Sequence, residues 1–238
     1  MVDLPVSLGQ CPIVRWIRYL LLWIKGGSEQ PEAWKGDRSV LRRITYGRHV
    51  DDEKAWSLTG SRWIEKWIMP PVASYKRADW HILEIGCGPG RLLLPLAEHF
   101  EKVIGIDFSN DMIDYARHRL RRLHNVEVIR NDGRTIPLPD SSVDFIISVI
   151  AFQHMDLSTI KSYFREAYRV LRNRGFFRFQ TRRDLERRNA SPYDRHFLAK
   201  TEGENLALDY GFELFSYEPG LGHPKWHWFT LRKTASGH

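Results

Sequence analysis

From Trp80 onward the chain repeats one pattern: a short β-branched run, a stretch with helical spacing, then another run. The runs are HILEIG, KVIGID, VEVIRN, VDFIISVI and FFRFQT, and between them lie segments such as NDMIDYARHRLRRL and STIKSYFREAYRVL. Strand, helix and strand in that order close as right-handed crossovers, so the repetition predicts a parallel sheet with helices on both faces, an α/β doubly wound fold. The tail breaks the rhythm. GENLALDYGF reads as a last helix closed by Gly211, and FELFSYEP and KWHWFTLRK flank GLGH as a hairpin that lays an antiparallel strand on the sheet.

Ahead of this core, residues 1–79 read as an N-terminal helical extension or lid, with residues 80–238 as the core domain. The extension holds PIVRWIRYLLLWIKGG, polar punctuation, and DDEKAWSLTGSRWIEKWIMPPV, which ends in a proline pair. From Ile13 to Ile24, Arg15 and Arg18, followed by Lys25, form a narrow stripe among Trp16, Ile17, Leu20, Leu21, Trp23 and Ile24. A helix of this kind covers a core, pairs in a homodimer, or makes peripheral contact with a membrane interface. No run reaches the ~20 apolar residues of a membrane span, and the opening MVDLPVSLGQ lacks the basic start of a signal peptide. Two cysteines, Cys11 and Cys87, exclude a disulfide framework and a cysteine metal cluster. A cytoplasmic location is the expectation. The net charge of +7 suits an anionic partner without naming one.

Glycines at 86, 88 and 90 stand where the first strand must become a helix, RLLLPLAEHF. Glycine reaches backbone conformations closed to other residues and lets a ligand approach without a Cβ in the way. A nucleotide-like ligand outside the carboxyl ends of the strands is the default reading. Asp107 ends the second run, 21 residues after Gly86, at the spacing where a carboxylate accepts from ribose hydroxyls. Asn131 and Asp132 end the third, which puts another carboxylate on the same edge for a purine amine. A dinucleotide fingerprint is G-x-G-x-x-G with a pyrophosphate at the helix start, whereas the spacing here is G-x-G-x-G with Glu84 two positions before the first glycine. A carboxylate there sits poorly beside a pyrophosphate. It suits a ligand carrying an ammonium and a sulfonium, which favours S-adenosyl-L-methionine over NAD.

ILEIGCGPGR, VIGIDFSNDMIDYAR, NDG, IPLPDSSVDFIISVIAFQHM and REAYRVLRNRGFFRF resemble, in order and spacing, the successive motifs of class I S-adenosylmethionine-dependent methyltransferases of the small-molecule type. The likeness covers about residues 80–182 and implies a Rossmann-like sheet of seven strands, with S-adenosyl-L-homocysteine as the product. Carried onto this chain, it implies that Gly86, Cys87, Gly88, Gly90 and Arg91 line the cofactor, with Glu84 near the methionine ammonium. It further implies Asp107 at the ribose, Phe108 and Met112 against the adenine, and Asn131, Asp132 and Gly133 at its amino edge. Asn173, Arg174 and Gly175 stand where the family usually has Pro-Gly-Gly, a turn remote from the cofactor.

For the acceptor, AFQHM follows the fourth run. His154 is the candidate general base, because an imidazole accepts a proton near neutrality. Its alternative, shared with Gln153, is to orient the methionine carboxylate or pack a loop. Tyr46 and His49, read either as a lid over the cofactor or as a surface helix, join Gln153, Arg182 and Arg183 as candidate acceptor-binding groups. The insertion QTRRDLERRNASPYDRH adds Arg187, Arg188 and Arg195, whose forks suit a carboxylate or phosphate handle. Asp156 and Asp184 are too few for magnesium, and His223 and His227 would suggest zinc only on a helix, so no metal is expected. The acceptor reading is a small molecule, anionic or a saccharide, methylated on a hydroxyl oxygen. Ala151, Phe152, Gln153 and His154 replace the Asn/Asp-Pro-Pro-aromatic grip of base-directed enzymes, which weighs against an RNA-modifying enzyme and a nucleic-acid partner. A non-catalytic cofactor-binding subunit is the third class.

Overall fold

A computed structural model describes residues 53–182 and 198–234, with side chains from Leu58. They belong to one compact unit, Asp52–His238. Its strands are β1 (His81–Ile85), β2 (Lys102–Asp107), β3 (Val126–Arg130), β4 (Val143–Ser148), β5 (Leu171–Arg182), β6 (Phe212–Pro219) and β7 (Trp226–Lys233). The helices are α1 (Glu53–Trp63), α2 (Leu93–Leu96), α3 (Asn110–Leu120), α4 (Leu157–Val170) and α5 (Lys200–Asp209), and α1 runs on through a π turn at Ile64–Ile68. The strands form one seven-stranded sheet in the order β3-β2-β1-β4-β5-β7-β6. β1 to β5 pair in parallel, and β7 runs antiparallel to both β5 and β6. The doubly wound sheet and terminal hairpin agree with the sequence expectation.

Buried runs explain the centre. β1 and β4 are flanked by strands and covered on both faces, so HILEI and VDFIIS are buried almost throughout rather than alternately. One face packs Phe152, Phe164, Phe177, Phe179 and Phe229 against α4 and α5. The other packs Phe145, Ile147, Phe176 and Trp228 against α2, α3 and the Ile64–Ile68 turn. Two helices are fixed by local caps: Ser109 Oγ accepts from Met112 N–H at 3.5 Å, and Asp156 Oδ1 accepts from Thr159 N–H at 2.7 Å. Lys233, buried on β7, closes the other end of α4 by donating to the carbonyls of Tyr168 and Leu171 at 2.6 and 2.7 Å.

Two departures have physical causes. The helix after the glycine turn is only Leu93–Leu96, because Pro95 lacks an N–H to extend it. α4 runs straight into β5, and Asn173–Gly175 becomes an irregularity inside that strand, with Arg174 at φ +65° and a register shift against β4. In the segment grouped by sequence with the extension, Ile64, Ile68, Met69 and Val72 pack on the sheet. There Arg178 of β5, fully buried, donates through Nε and Nη2 to the Trp67 carbonyl at 2.9 and 2.6 Å. Its Nη1 meets Glu218 Oε2 at 2.9 Å and also Thr230 Oγ1, and its guanidinium lies 4.8 Å from the Trp228 ring. The aromatic segment Ile13–Ile24, Cys11, Tyr46, His49 and residues 183–197 lie outside the described residues. Among the described residues no helix is long and apolar enough to cross a membrane.

Candidate functional site

The carboxyl ends of β1, β2, β3 and β4 bring the sequence-predicted groups to one edge of the sheet. Glu84 sits in the central strand, in register with Gly105 on one side and Ile147 on the other, and is 3 % exposed. Its Oε2 has no hydrogen-bond partner among the described residues. Burial pushes the carboxyl up to about 8, the Arg91 charge pulls back, and Asp107 pushes further up. A buried carboxyl oxygen without a partner costs free energy unless something donates to it.

Asp107 organises the turn. Its Oδ2 accepts from Gly88 N–H at 3.0 Å and its Oδ1 from Ser109 N–H at 2.9 Å, so one side chain ties the glycine bend to the tip of β2. Burial raises its pKa, opposed by those N–H groups. With Phe108 N–H also acting on it, the carboxylate still has lone-pair room for a hydroxyl.

The glycines themselves have two reasons to be glycine. Gly86 (φ +73°), Gly88 (φ +51°) and Gly90 (φ +83°) all occupy the left-handed region. At Gly86 a Cβ would lie 2.5 Å from the Ala151 Cβ, and at Gly90 it would lie 2.7 Å from Leu120 Cδ1. The space freed at these two positions is filled by the protein, so the first lets the chain after β4 come against the turn and the third seats α3. Cys87 is buried, its Sγ packed over Gly105 of β2, and burial drives its thiol well above the ordinary range. Arg91 carries its guanidinium 4.7 Å from the Trp63 ring of α1.

Phe108 and Gly133 meet at the next corner, where a Cβ on Gly133 would be 3.6 Å from Phe108 Cβ. Phe108 is partly exposed, whereas Met112 is buried beneath the start of α3. Asp132 Oδ1 accepts from Arg134 N–H, Thr135 N–H and Thr135 Oγ1 at 2.8, 2.7 and 3.0 Å, which holds its carboxyl below the usual range. Asn131 Nδ2 donates to the Thr135 carbonyl and to Tyr163 Oη, both at 2.8 Å, while Oδ1 has no partner among the described residues. Tyr163 in turn stacks on Phe152, linking this corner to the segment after β4.

That segment is a single 3-10 turn, Phe152–His154. Phe152 anchors it in the aromatic core, Gln153 is buried with Oε1 unpartnered among the described residues, and half-buried His154 has Nε2 3.3 Å from Gln153 Nε2. Arg182 ends β5 opposite Trp226. Arg183, Arg187, Arg188, Arg195 and Asp184 fall outside the described residues, as do the lid candidates Tyr46 and His49. Asp156, weighed as a metal ligand, is a helix cap held down to about 2 by its Thr159 and Ser158 hydrogen bonds. His227 lies on β7 with Nδ1 2.9 Å from Tyr217 Oη, and His223 lies in the hairpin loop, where its Nδ1 accepts from Lys225 N–H at 3.1 Å. Among the described residues no group of three or more His, Cys, Asp or Glu stands close enough to hold a metal ion.

Trp63 and Tyr163 are not visible as site neighbours in the sequence: Trp63 belongs to the segment grouped with the extension, and Tyr163 meets Asn131 from 32 positions away. The donor set fits an adenosyl amino acid: an unpartnered buried carboxyl oxygen, a carboxylate with spare lone pairs at the next strand tip, and a partly exposed aromatic beside it.

Comparison with known proteins matches the stretch of chain that forms this edge. Residues 82–175 match the family model described as a methyltransferase domain. A demethylmenaquinone methyltransferase of Listeria welshimeri is 32 % identical over 100 residues, 40 % of this chain and 42 % of that protein. An uncharacterised methyltransferase of Bacillus subtilis is 30 % identical over 103 residues, 42 % of this chain and 40 % of its own. The matches thus span under half the length of these curated relatives. A SAM-dependent methyltransferase from Aquifex aeolicus has a similar fold, with TM-score 0.58 and 22 % identity over 74 % of this chain and 97 % of that one.

Proposed function

We propose that this chain, which carries a class I S-adenosylmethionine-dependent methyltransferase domain, methylates a hydroxyl oxygen of a small molecule, a sugar, glycan or secondary metabolite. The observation that carries the cofactor part of the reading is Glu84, a buried carboxyl with an unpartnered oxygen one strand away from Asp107; the hydroxyl acceptor rests on His154 beside Gln153 after β4. S-adenosyl-L-methionine, when bound, supplies an electrophilic methyl on sulfur.

The chain's own residues do the rest. Glu84 pairs with the amino-acid ammonium and Asp107 accepts from the ribose hydroxyls. Phe108 and Asp132 bracket the adenine. His154 takes the proton from the acceptor hydroxyl as its oxygen attacks, and Gln153, beside it, orients the imidazole. Most of the rate comes from holding the acceptor in line.

A second acceptor class is supported by the Listeria relative, named as acting on demethylmenaquinone. The test is calorimetric titration with S-adenosylhomocysteine and with NAD, followed by methyl transfer to a panel of sugar hydroxyls and demethylated quinones. Saturable S-adenosylhomocysteine binding with none for NAD is expected, and the reverse overturns the reading. His154→Ala is expected to keep that binding and lose at least about 100-fold in transfer, the usual worth of a general base. Transfer at the parental rate sinks the base assignment.

A further inference from the structure

Where β4 stops, the backbone does something a β-branched residue avoids. Ile150 has φ +66°, in the left-handed region, and among the described residues it is the β-branched one that does so. The conformer is held from outside. Gln180 of β5 is fully buried and lies one residue past the Phe179 to Ser148 rung, where the β4–β5 ladder ends. Its Oε1 accepts from Ile150 N–H at 2.9 Å, and its Nε2 donates to the Thr181 carbonyl at 2.9 Å. The two bonds fix which way the amide faces, since a flip would set N–H against N–H and oxygen against oxygen.

Residues 151–154 follow directly on this bend. Ala151 comes against Gly86, at the place where a Cβ would otherwise lie, and Ser148 Oγ donates to the Ile85 carbonyl at 3.1 Å. The turn bearing Gln153 and His154 starts at the next residue. We propose that Gln180 is a positioning residue: its amide clamps Ile150 in the left-handed conformation, which seats the Ala151–His154 segment against the glycine turn and so shapes the methyl-facing wall of the site. The placement of that wall rests on the methyltransferase reading, whereas the clamp itself does not.

The experiment separates the two. Gln180→Met keeps the volume and removes the acceptor, and Ile150→Gly lets the backbone take a positive φ without help. Hydrogen exchange in ligand-free protein reads the clamp directly: the Ile150 amide is expected to exchange at least about tenfold faster in Gln180→Met. S-adenosylhomocysteine titration reads its consequence, a loss of about tenfold in affinity for Gln180→Met and recovery of most of it in the double variant with Ile150→Gly. Rescue by an added glycine is opposite to what a general loss of stability would give. If Gln180→Met does not fold, Ile150→Pro carries the same test, because proline has neither the N–H nor access to positive φ, and the same loss is expected. Unchanged Ile150 exchange in Gln180→Met overturns the clamp. A double variant no tighter than the single one, or an Ile150→Pro protein that binds like the parent, overturns its role at the site. A parent protein that does not bind S-adenosylhomocysteine overturns the methyltransferase reading and leaves the exchange result to judge the clamp.

Discussion

Glu84 turns a buried carboxyl into a pH-dependent site. Its ordinary value is near 4.5, and burial in the folded chain raises it to about 8. Below about 4.5 both folded and unfolded chains hold the proton. Between about 4.5 and 8 only the folded chain does, so this group's contribution to stability falls as pH rises through that window and is gone above it. A ligand ammonium reverses the preference by stabilising the carboxylate. Affinity for S-adenosylhomocysteine should therefore climb as pH rises toward about 8 and level off above it, with proton release on binding at neutral pH. Calorimetry in buffers of different ionisation heat measures both, and Glu84→Gln should flatten the pH dependence. The glycines give a paired prediction. Gly86→Ala meets a 2.5 Å contact as well as a positive φ, whereas Gly220 has φ +76° and nothing within 4 Å. Urea unfolding should register about 1 kcal/mol for Gly220→Ala and clearly more, about 2 to 4 kcal/mol, for Gly86→Ala. Equal costs would mean that the Ala151 approach relaxes freely. That Glu84 and Asp107 stand buried at neighbouring strand tips was legible in the sequence, because each stands at the end of an apolar run at a fixed spacing from the glycines. The reason for Gly86 was only half legible, since its neighbour Ala151 is 65 positions away.

Elements were legible where periodicity is strong, and less so where a single residue overrides it. The five parallel runs and the hairpin announce themselves by apolar content, while Pro95 shortens α2 and Arg178 interrupts FFRFQT with a charge that composition alone would place at a surface. Its burial was illegible because the carbonyl and carboxylate that satisfy it lie 111 and 40 residues away. That guanidinium fastens the Ile64–Ile68 turn to β5, β6 and β7 together, so its loss leaves the Trp67 carbonyl and Thr230 hydroxyl without their donor. Arg178→Met should lower unfolding free energy by about 2 to 4 kcal/mol, read as a shift in the urea midpoint at constant slope. Glu218 is partly exposed and can be rehydrated, so Glu218→Gln should cost less than half as much. A larger effect at Glu218 than at Arg178 would assign the fastening to the ion pair rather than to the backbone carbonyl.

The site joins parts of the unit that meet nowhere else in sequence: the tips of β1 to β4, the aromatic end of α1 through Trp63 and Arg91, and the end of β5 through Gln180. Ligand that bridges such parts binds the folded chain and finds no counterpart in the unfolded one, so its binding free energy adds to stability by mass action. At a concentration 100 times its dissociation constant, S-adenosylhomocysteine should contribute about 2.7 kcal/mol. For a unit of this size, that corresponds to a rise in melting temperature of about 5 to 10 °C. NAD at equal concentration should give no shift, since the bend lacks dinucleotide spacing. Thermal scans of the full chain, repeated at several ligand concentrations, should trace a midpoint that rises with the logarithm of concentration once the site is saturated. A midpoint indifferent to S-adenosylhomocysteine at concentrations where calorimetry shows saturation would mean that the ligand binds the unfolded chain as well, and that the strand-tip carboxylates do not act as a unit that only folding assembles.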